Sequence, residues 1–105
     1  MISKELLKSI NSLIPKKSFT PALTQLMYYK EFNTFVATDS YILLEIKNPF
    51  GQFTKDFCID GMDLKTIKTE ILSISQDQEN LVDIITKDKD YVFKITKDIR
   101  QPEYK

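Results

Sequence analysis

Side chains that could do acid–base, nucleophilic or metal chemistry are sparse in this 105-residue chain. Histidine, the commonest general base and metal ligand, does not occur in it. The single cysteine, Cys58, cannot form an intrachain disulfide or supply the usual zinc ligands. The two glycines are too few for the common loops that cradle phosphate groups. We therefore expect a protein that is not an enzyme and that uses no cofactor or metal.

Lysines have the spacing that best suits a binding surface. Lys4 and Lys8 are four residues apart, so on a helix they share one face. Such a face could contact phosphate groups, or it could be an ordinary solvated helix surface. Because fifteen basic residues balance fifteen acidic ones, phosphate binding requires that lysines be segregated on one face. The candidate lysines are Lys4, Lys8, Lys16, Lys17, Lys65 and Lys68.

The first half of the chain is predicted to be a helix followed by three strands. Apolar residues recur at helical spacing over residues 3–14, with Ser3 as a plausible N-cap and Pro15 as a stop signal. A pattern rich in aromatic and β-branched residues follows, with a turn at residues 31–33. The predicted strands span residues 23–30, 34–38 and 41–47.

The second half is predicted to repeat this order after a break. Residues 48–51, Asn-Pro-Phe-Gly, form the strongest breaker cluster in the chain. Leu64, Ile67, Ile71 and Ile74 form an apolar stripe of helical spacing, and Lys65 and Lys68 share that segment with Asp63 and Glu70. The predicted elements are a strand over 53–59, a helix over 62–74, and strands over 81–86 and 91–97.

This order predicts an α+β fold, with two helices on one face of an antiparallel sheet and an internal pseudo-duplication. The length suits a single domain over residues 1–105. The charged start lacks the apolar region of a signal peptide, and no apolar run approaches the roughly 20 residues that span a bilayer. We therefore expect a cytoplasmic protein without a membrane partner.

Five aromatic residues in the first half could suggest base stacking. A stacking platform needs exposed rings interleaved with basic residues, and Lys30 is the only basic residue among them. Packing in the core and between strands therefore explains these rings better. They are Tyr28, Tyr29, Phe32, Phe35 and Tyr41.

A polar corner, Thr38-Asp39-Ser40, joins two apolar strand patterns within residues 35–46. Taken alone it predicts a strand-to-strand turn that Asp39 stabilises. Together with the preceding Ala37, it resembles the Ala-Thr-Asp-Gly-X-Arg-Leu signature of bacterial DNA sliding clamps, the beta subunit of the replicative polymerase. Ser40 stands where the signature has Gly, Tyr41 where His is common, and Ile42 where it has Arg. Similar order and spacing continue over residues 6–10, 20–26, 58–67 and 101–104, closest to the middle clamp domain.

This resemblance implies a DNA-clamp-like domain that encircles or contacts duplex DNA without sequence preference. The helix lysines would face phosphates, and DNA polymerase or other clients would dock by short apolar peptides. The resemblance implies self-association or companion clamp domains, because a clamp chain has three such domains. The implied docking residues are Leu23, Thr38, Ser40, Tyr41, Ile42 and Leu43. The alternatives are that Leu23, Ile42 and Leu43 are core residues, and that the chain is a stand-alone clamp-derived adaptor or inhibitor without DNA binding.

Overall fold

The computed structural model describes residues 1–17, 21–39, 41–76, 80–96 and 101–102. Over these residues the chain is α+β, which confirms the predicted class, and it has two α-helices. Its strands form two antiparallel sheets and not the single predicted sheet. The elements are α1 (Lys4–Leu13), a 3-10 helix (Pro21–Thr24), β1 (Gln25–Tyr29), β2 (Thr34–Thr38), β3 (Leu43–Lys47), β4 (Phe57–Asp60), α2 (Gly61–Leu64), β5 (Ile71–Ser75), β6 (Leu81–Thr86) and β7 (Asp90–Lys94).

Helix α1 forms where its spacing and end signals predicted it. The Ser3 hydroxyl accepts a hydrogen bond from the Leu6 N–H at 3.1 Å, as an N-cap residue should. At the other end Ile14 is extended, the conformation that a following proline favours. Leu7 and Ile10 are buried. The helix therefore turns its apolar stripe inward and leaves Lys4 and Lys8 exposed.

The segment before each α-helix pairs with the other half of the chain. The first sheet has the order β3-β2-β1-β4, so β4, which leads into α2, lies beside β1. The second sheet has the order β5-β6-β7. Ile2, which leads into α1, exchanges two backbone hydrogen bonds of 2.9 Å with Ile71 of β5. The two halves are thus joined by one strand pairing, β1 with β4, and by one isolated β-bridge, Ile2 with Ile71.

The predicted helix over 62–74 is wrong. Helix α2 is a single turn that ends at Leu64, and Ile71–Ser75 forms strand β5. Ile71 and Ile74 are three residues apart, which imitates helical spacing, yet both are buried in the strand. A register shift between Ile71 and Ser73 adds one residue to β5 and keeps both isoleucines on the inner face.

Strand boundaries also differ from the predictions. Strands β2 and β6 have the predicted bounds. Residues 23–24 belong to the 3-10 helix, and β3 and β4 begin at Leu43 and Phe57, later than predicted. Strand β7 ends at Lys94, and residue 97 of the predicted strand lies outside the described residues.

The two central strands of the first sheet, β1 and β2, are buried on both faces, whereas β3 is largely exposed. On the inner face, the Tyr28 ring lies 5.1 Å from those of Phe35 and Phe57, and this cluster packs with α1 and the second sheet. On the outer face, Met27 and Cys58 belong to a smaller buried cluster. Tyr28, Tyr29 and Phe35 are therefore core residues, as expected, and Phe32 packs against the outer cluster. Tyr41 is the exception, because it is exposed.

Candidate functional site

A groove lies between the exposed face of α1 and the residues that follow α2. Its volume is about 480 Å³. Four of the six candidate lysines line it, two from each side. We call it the lysine groove, and its lining residues are Lys4, Leu7, Lys8, Asn11, Ser12, Lys65, Ile67 and Lys68.

Local structure explains how the second wall forms. After α2 the backbone turns, with the Thr66 and Ile67 N–H groups donating to the carbonyl oxygens of Asp63 and Leu64 at 3.1 Å. Ile67 is buried, which anchors this wall in the core. Lys65 and Lys68 stand on either side of that anchor and line the groove.

Gly61 permits the close approach of the two walls. A Cβ at this position would lie 2.6 Å from the Thr24 carbonyl oxygen and 2.7 Å from Cγ2 of Ile14. Those distances are shorter than real Cβ contacts, so only glycine lets the start of α2 lie against the end of α1. The groove therefore depends on a residue that does not line it.

Lys65 has a different role from the other groove lysines. Its Nζ donates a hydrogen bond to the Ile14 carbonyl oxygen at 3.1 Å, at the C-terminal end of α1. Lysine is favourable there because the last carbonyls of a helix carry partial negative charge. Lys4, Lys8 and Lys68 are exposed, and none has an ion-pair partner among the residues that the structure describes. Those three ammonium groups are available to a ligand.

The lysine groove is one-sided in charge. Among the residues that the structure describes, no acidic side chain lines it; Asp63 and Glu70, which share a segment with Lys65 and Lys68, do not. The nearest acidic neighbour on α1 is Glu5, which lines a shallower depression with Lys8. Leu7 and Ile67 contribute buried apolar side chains to the same lining.

Asn11 adds a polar group to the groove lining. Its Oδ1 is buried and has no hydrogen-bond partner within the described part of the chain. Asn11 thus adds a side-chain amide to a lining that also contains four lysines, one serine and two apolar residues. Asn11 is three residues after Lys8 and therefore shares its helix face, but no pattern in the sequence predicts that Ser12, Leu7 and Ile67 complete a groove.

The remaining two candidate lysines lie elsewhere. Lys16 and Lys17 follow Pro15, are exposed, and do not line the lysine groove. The structure therefore brings together Lys4, Lys8, Lys65 and Lys68 and leaves these two apart.

The polar corner between β2 and β3 is a tight turn held by Asp39. Its Oδ1 accepts hydrogen bonds from the N–H groups of Tyr41 at 2.9 Å and Ile42 at 2.8 Å. Both bonds lower the pKa of the Asp39 carboxyl below its ordinary value, and the bond from Ile42 has the larger effect. The Thr38 hydroxyl donates to the Ile42 carbonyl oxygen at 2.7 Å. The expectation that Asp39 stabilises a turn is confirmed.

The predicted docking residues are divided between buried and exposed positions. Thr38 is buried and Leu23 is half-buried, in the 3-10 helix. Tyr41, Ile42 and Leu43 are 94%, 62% and 45% exposed and form what we call the apolar turn. Ser40 lies outside the described residues. None of the described docking residues lines the lysine groove, so the apolar turn and the lysine groove are separate surfaces.

Cys58 lies in strand β4 and is buried. Burial, and secondarily the charge of Asp56, raises the pKa of its thiol to about 12. Within the described ranges, no cluster of three or more acidic or cysteine side chains could hold a metal ion.

Comparisons of the chain with protein-family models, curated proteins and solved structures find no match. In the part of the chain that the structure describes, no helix is long and apolar enough to cross a membrane.

Proposed function

We propose that this chain is a clamp-like domain of DNA replication or repair, which contacts duplex DNA without sequence preference and docks client proteins. The observation that carries the proposal is the lysine groove, in which Lys4 and Lys8 of α1 face Lys65 and Lys68 across a concavity that no described acidic residue lines. Ammonium groups on flexible stems bind phosphates through charge and carry no information about base sequence. Such contacts suit a protein that moves along DNA.

The strand pairings support the clamp-like fold. Each half of the chain has a leading segment, an α-helix and three antiparallel strands. The leading segment of the first half, at Ile2, is bridged to β5, and that of the second half, β4, pairs with β1. We propose that this order reflects an internal duplication over a single domain of residues 1–105. Helix α2 departs from the pattern because it is only one turn long.

The free strand edges support self-association or pairing with companion domains. Among the strands that the structure describes, β3 ends the first sheet and β7 ends the second. Unpaired edges carry rows of backbone donors and acceptors that pair readily with another chain. We propose that assembly through these edges completes a ring or arc around DNA.

The groove proposal is tested by the salt dependence of DNA binding. Duplexes of two unrelated sequences should bind with equal affinity at low salt, and fluorescence anisotropy measures this. Lys4→Glu and Lys8→Glu should each weaken binding and reduce the slope against salt concentration by about one unit. The matched control is Lys87→Glu, in the turn between β6 and β7. Equal effects of all three substitutions would contradict the proposal.

The assembly proposal is tested by light scattering. A ring has several times the 12.3 kDa mass of one chain. A mass of one chain at all concentrations would contradict assembly through the strand edges.

The apolar turn favours a second candidate function, a stand-alone interaction module that binds no DNA. Exposure of three consecutive large apolar residues is costly in water and is typical of surfaces that bind proteins. Clamp-binding peptides should then shift the amide resonances of Tyr41, Ile42 and Leu43, and the Lys8→Glu variant should bind them unchanged. If these peptides leave the three resonances unshifted, the docking role is contradicted.

A further inference from the structure

We propose that the lysine groove is a discrete site for a ligand with adjacent phosphate groups, and that such a ligand binds the isolated domain. Such a ligand has two possible sources. The inference rests on the proposed function for the first source, which is the phosphate backbone of a nucleic acid. The other source with the same chemistry is a free polyphosphate. The distinction that matters is between a site of fixed shape and a diffuse cationic face.

The arrangement of the lysines supports a discrete site. Lys4 and Lys8 are one helical turn apart on α1, and Lys68 lies on the opposite wall of the same groove. A phosphate between the walls can therefore be approached by ammonium groups from both sides. A solvated helix face would present its lysines from one side only.

The groove is also shaped before a ligand arrives. Ile67 is buried in the second wall, and Lys65 ties that wall to the Ile14 carbonyl oxygen at the end of α1. The lysine groove has a volume of about 480 Å³, which is in the range of small-ligand sites. A site with fixed walls loses less entropy on binding than one that must assemble.

The polar lining matches an anion that accepts hydrogen bonds. The ammonium groups of the lining lysines are donors without acceptor capacity. Phosphate oxygens accept several such bonds at once. A cation would be repelled by the four lysines of this lining.

The test is a titration of the isolated domain with inorganic pyrophosphate, followed by amide resonances at constant ionic strength. We expect saturable shifts confined to residues 4–12 and 65–68, with affinity reduced about fivefold or more by Lys8→Met or Lys68→Met and unchanged by Lys87→Met. Shifts that grow linearly without saturation, or that appear equally around Lys87, would overturn the discrete site. Circular dichroism confirms that each variant is folded.

A competition separates this inference from the proposed function. Duplex DNA should displace pyrophosphate if the nucleic-acid backbone occupies the same groove. Pyrophosphate binding that DNA does not displace would support the discrete site and contradict the DNA role of the groove. DNA binding without saturable pyrophosphate binding would overturn the discrete site and leave the proposed function standing.

Discussion

The ammonium group of Lys65 donates a hydrogen bond of 3.1 Å to the carbonyl oxygen of Ile14, 51 residues earlier in the chain. This bond joins the second half of the protein to the C-terminal end of α1. It satisfies a helix-end carbonyl that has no partner within the helix, and it fixes one wall of the lysine groove. A residue predicted to bind phosphate thus also has a structural role.

Replacement of Lys65 should lower stability where replacement of Lys68 does not. Lys65→Met removes a charged donor from a half-buried carbonyl, which should cost about 1 kcal/mol in the free energy of unfolding. Lys68 lies on the same wall but is exposed, so Lys68→Met should change the free energy of unfolding by less than about 0.5 kcal/mol. Urea unfolding followed by circular dichroism measures both. Equal losses in the two variants would contradict the structural role of Lys65.

An alanine at Gly61 should destabilise the protein although alanine is the better helix former. Its Cβ would meet the Thr24 carbonyl oxygen at 2.6 Å, and backbone cannot move aside as a flexible side chain can. The cost of overpacking, about 1–3 kcal/mol, exceeds the gain in helix propensity of about 1 kcal/mol. The control is Met62→Ala, an exposed position in the same helical turn, which should be nearly neutral. Thermal unfolding compares the two, and a Gly61→Ala variant as stable as wild type would argue against close contact.

Asp39 should make stability depend on pH in the acidic range. Because hydrogen bonds lower its pKa in the folded state, the unfolded chain binds the proton more tightly. The stabilisation is present above the ordinary Asp pKa and is lost as pH falls through the lowered folded value. The difference in unfolding free energy between wild type and Asp39→Asn should therefore shrink as the pH falls below about 5, with most of the change below about pH 4. A difference that does not vary with pH would show that the charge is unimportant to the turn.

Cys58 should be unreactive in the folded protein. With the thiol pKa raised to about 12, the reactive thiolate is scarce near neutral pH, and burial also blocks access. Reaction with an aromatic disulfide reagent at pH 8 should be about a thousandfold slower in buffer than in concentrated urea, where the pKa is ordinary. Absorbance of the released thiol follows both rates. A native rate within tenfold of the unfolded rate would place the thiol nearer the surface than the structure does.

Local signals were enough to predict α1 and the turn at Asp39. The apolar spacing, the Ser3 cap and Pro15 all act within a few residues of the helix, so no distant partner is needed to specify it. The same spacing determined that Lys4 and Lys8 share a face. At the corner, the Asp39 side chain binds backbone groups two and three residues away, which is again a local interaction.

Only the tertiary structure decided whether residues 71–75 form a helix or a strand, and whether the lysine groove exists. The spacing of Ile71 and Ile74 fits a helix or a bulged strand, and pairing with β6 selects the strand because it satisfies the backbone while burying both side chains. Lys65 and Lys68 meet Lys4 and Lys8 because Gly61 allows α2 to lie against the end of α1. That contact joins residues about 50 positions apart, and no local pattern encodes it.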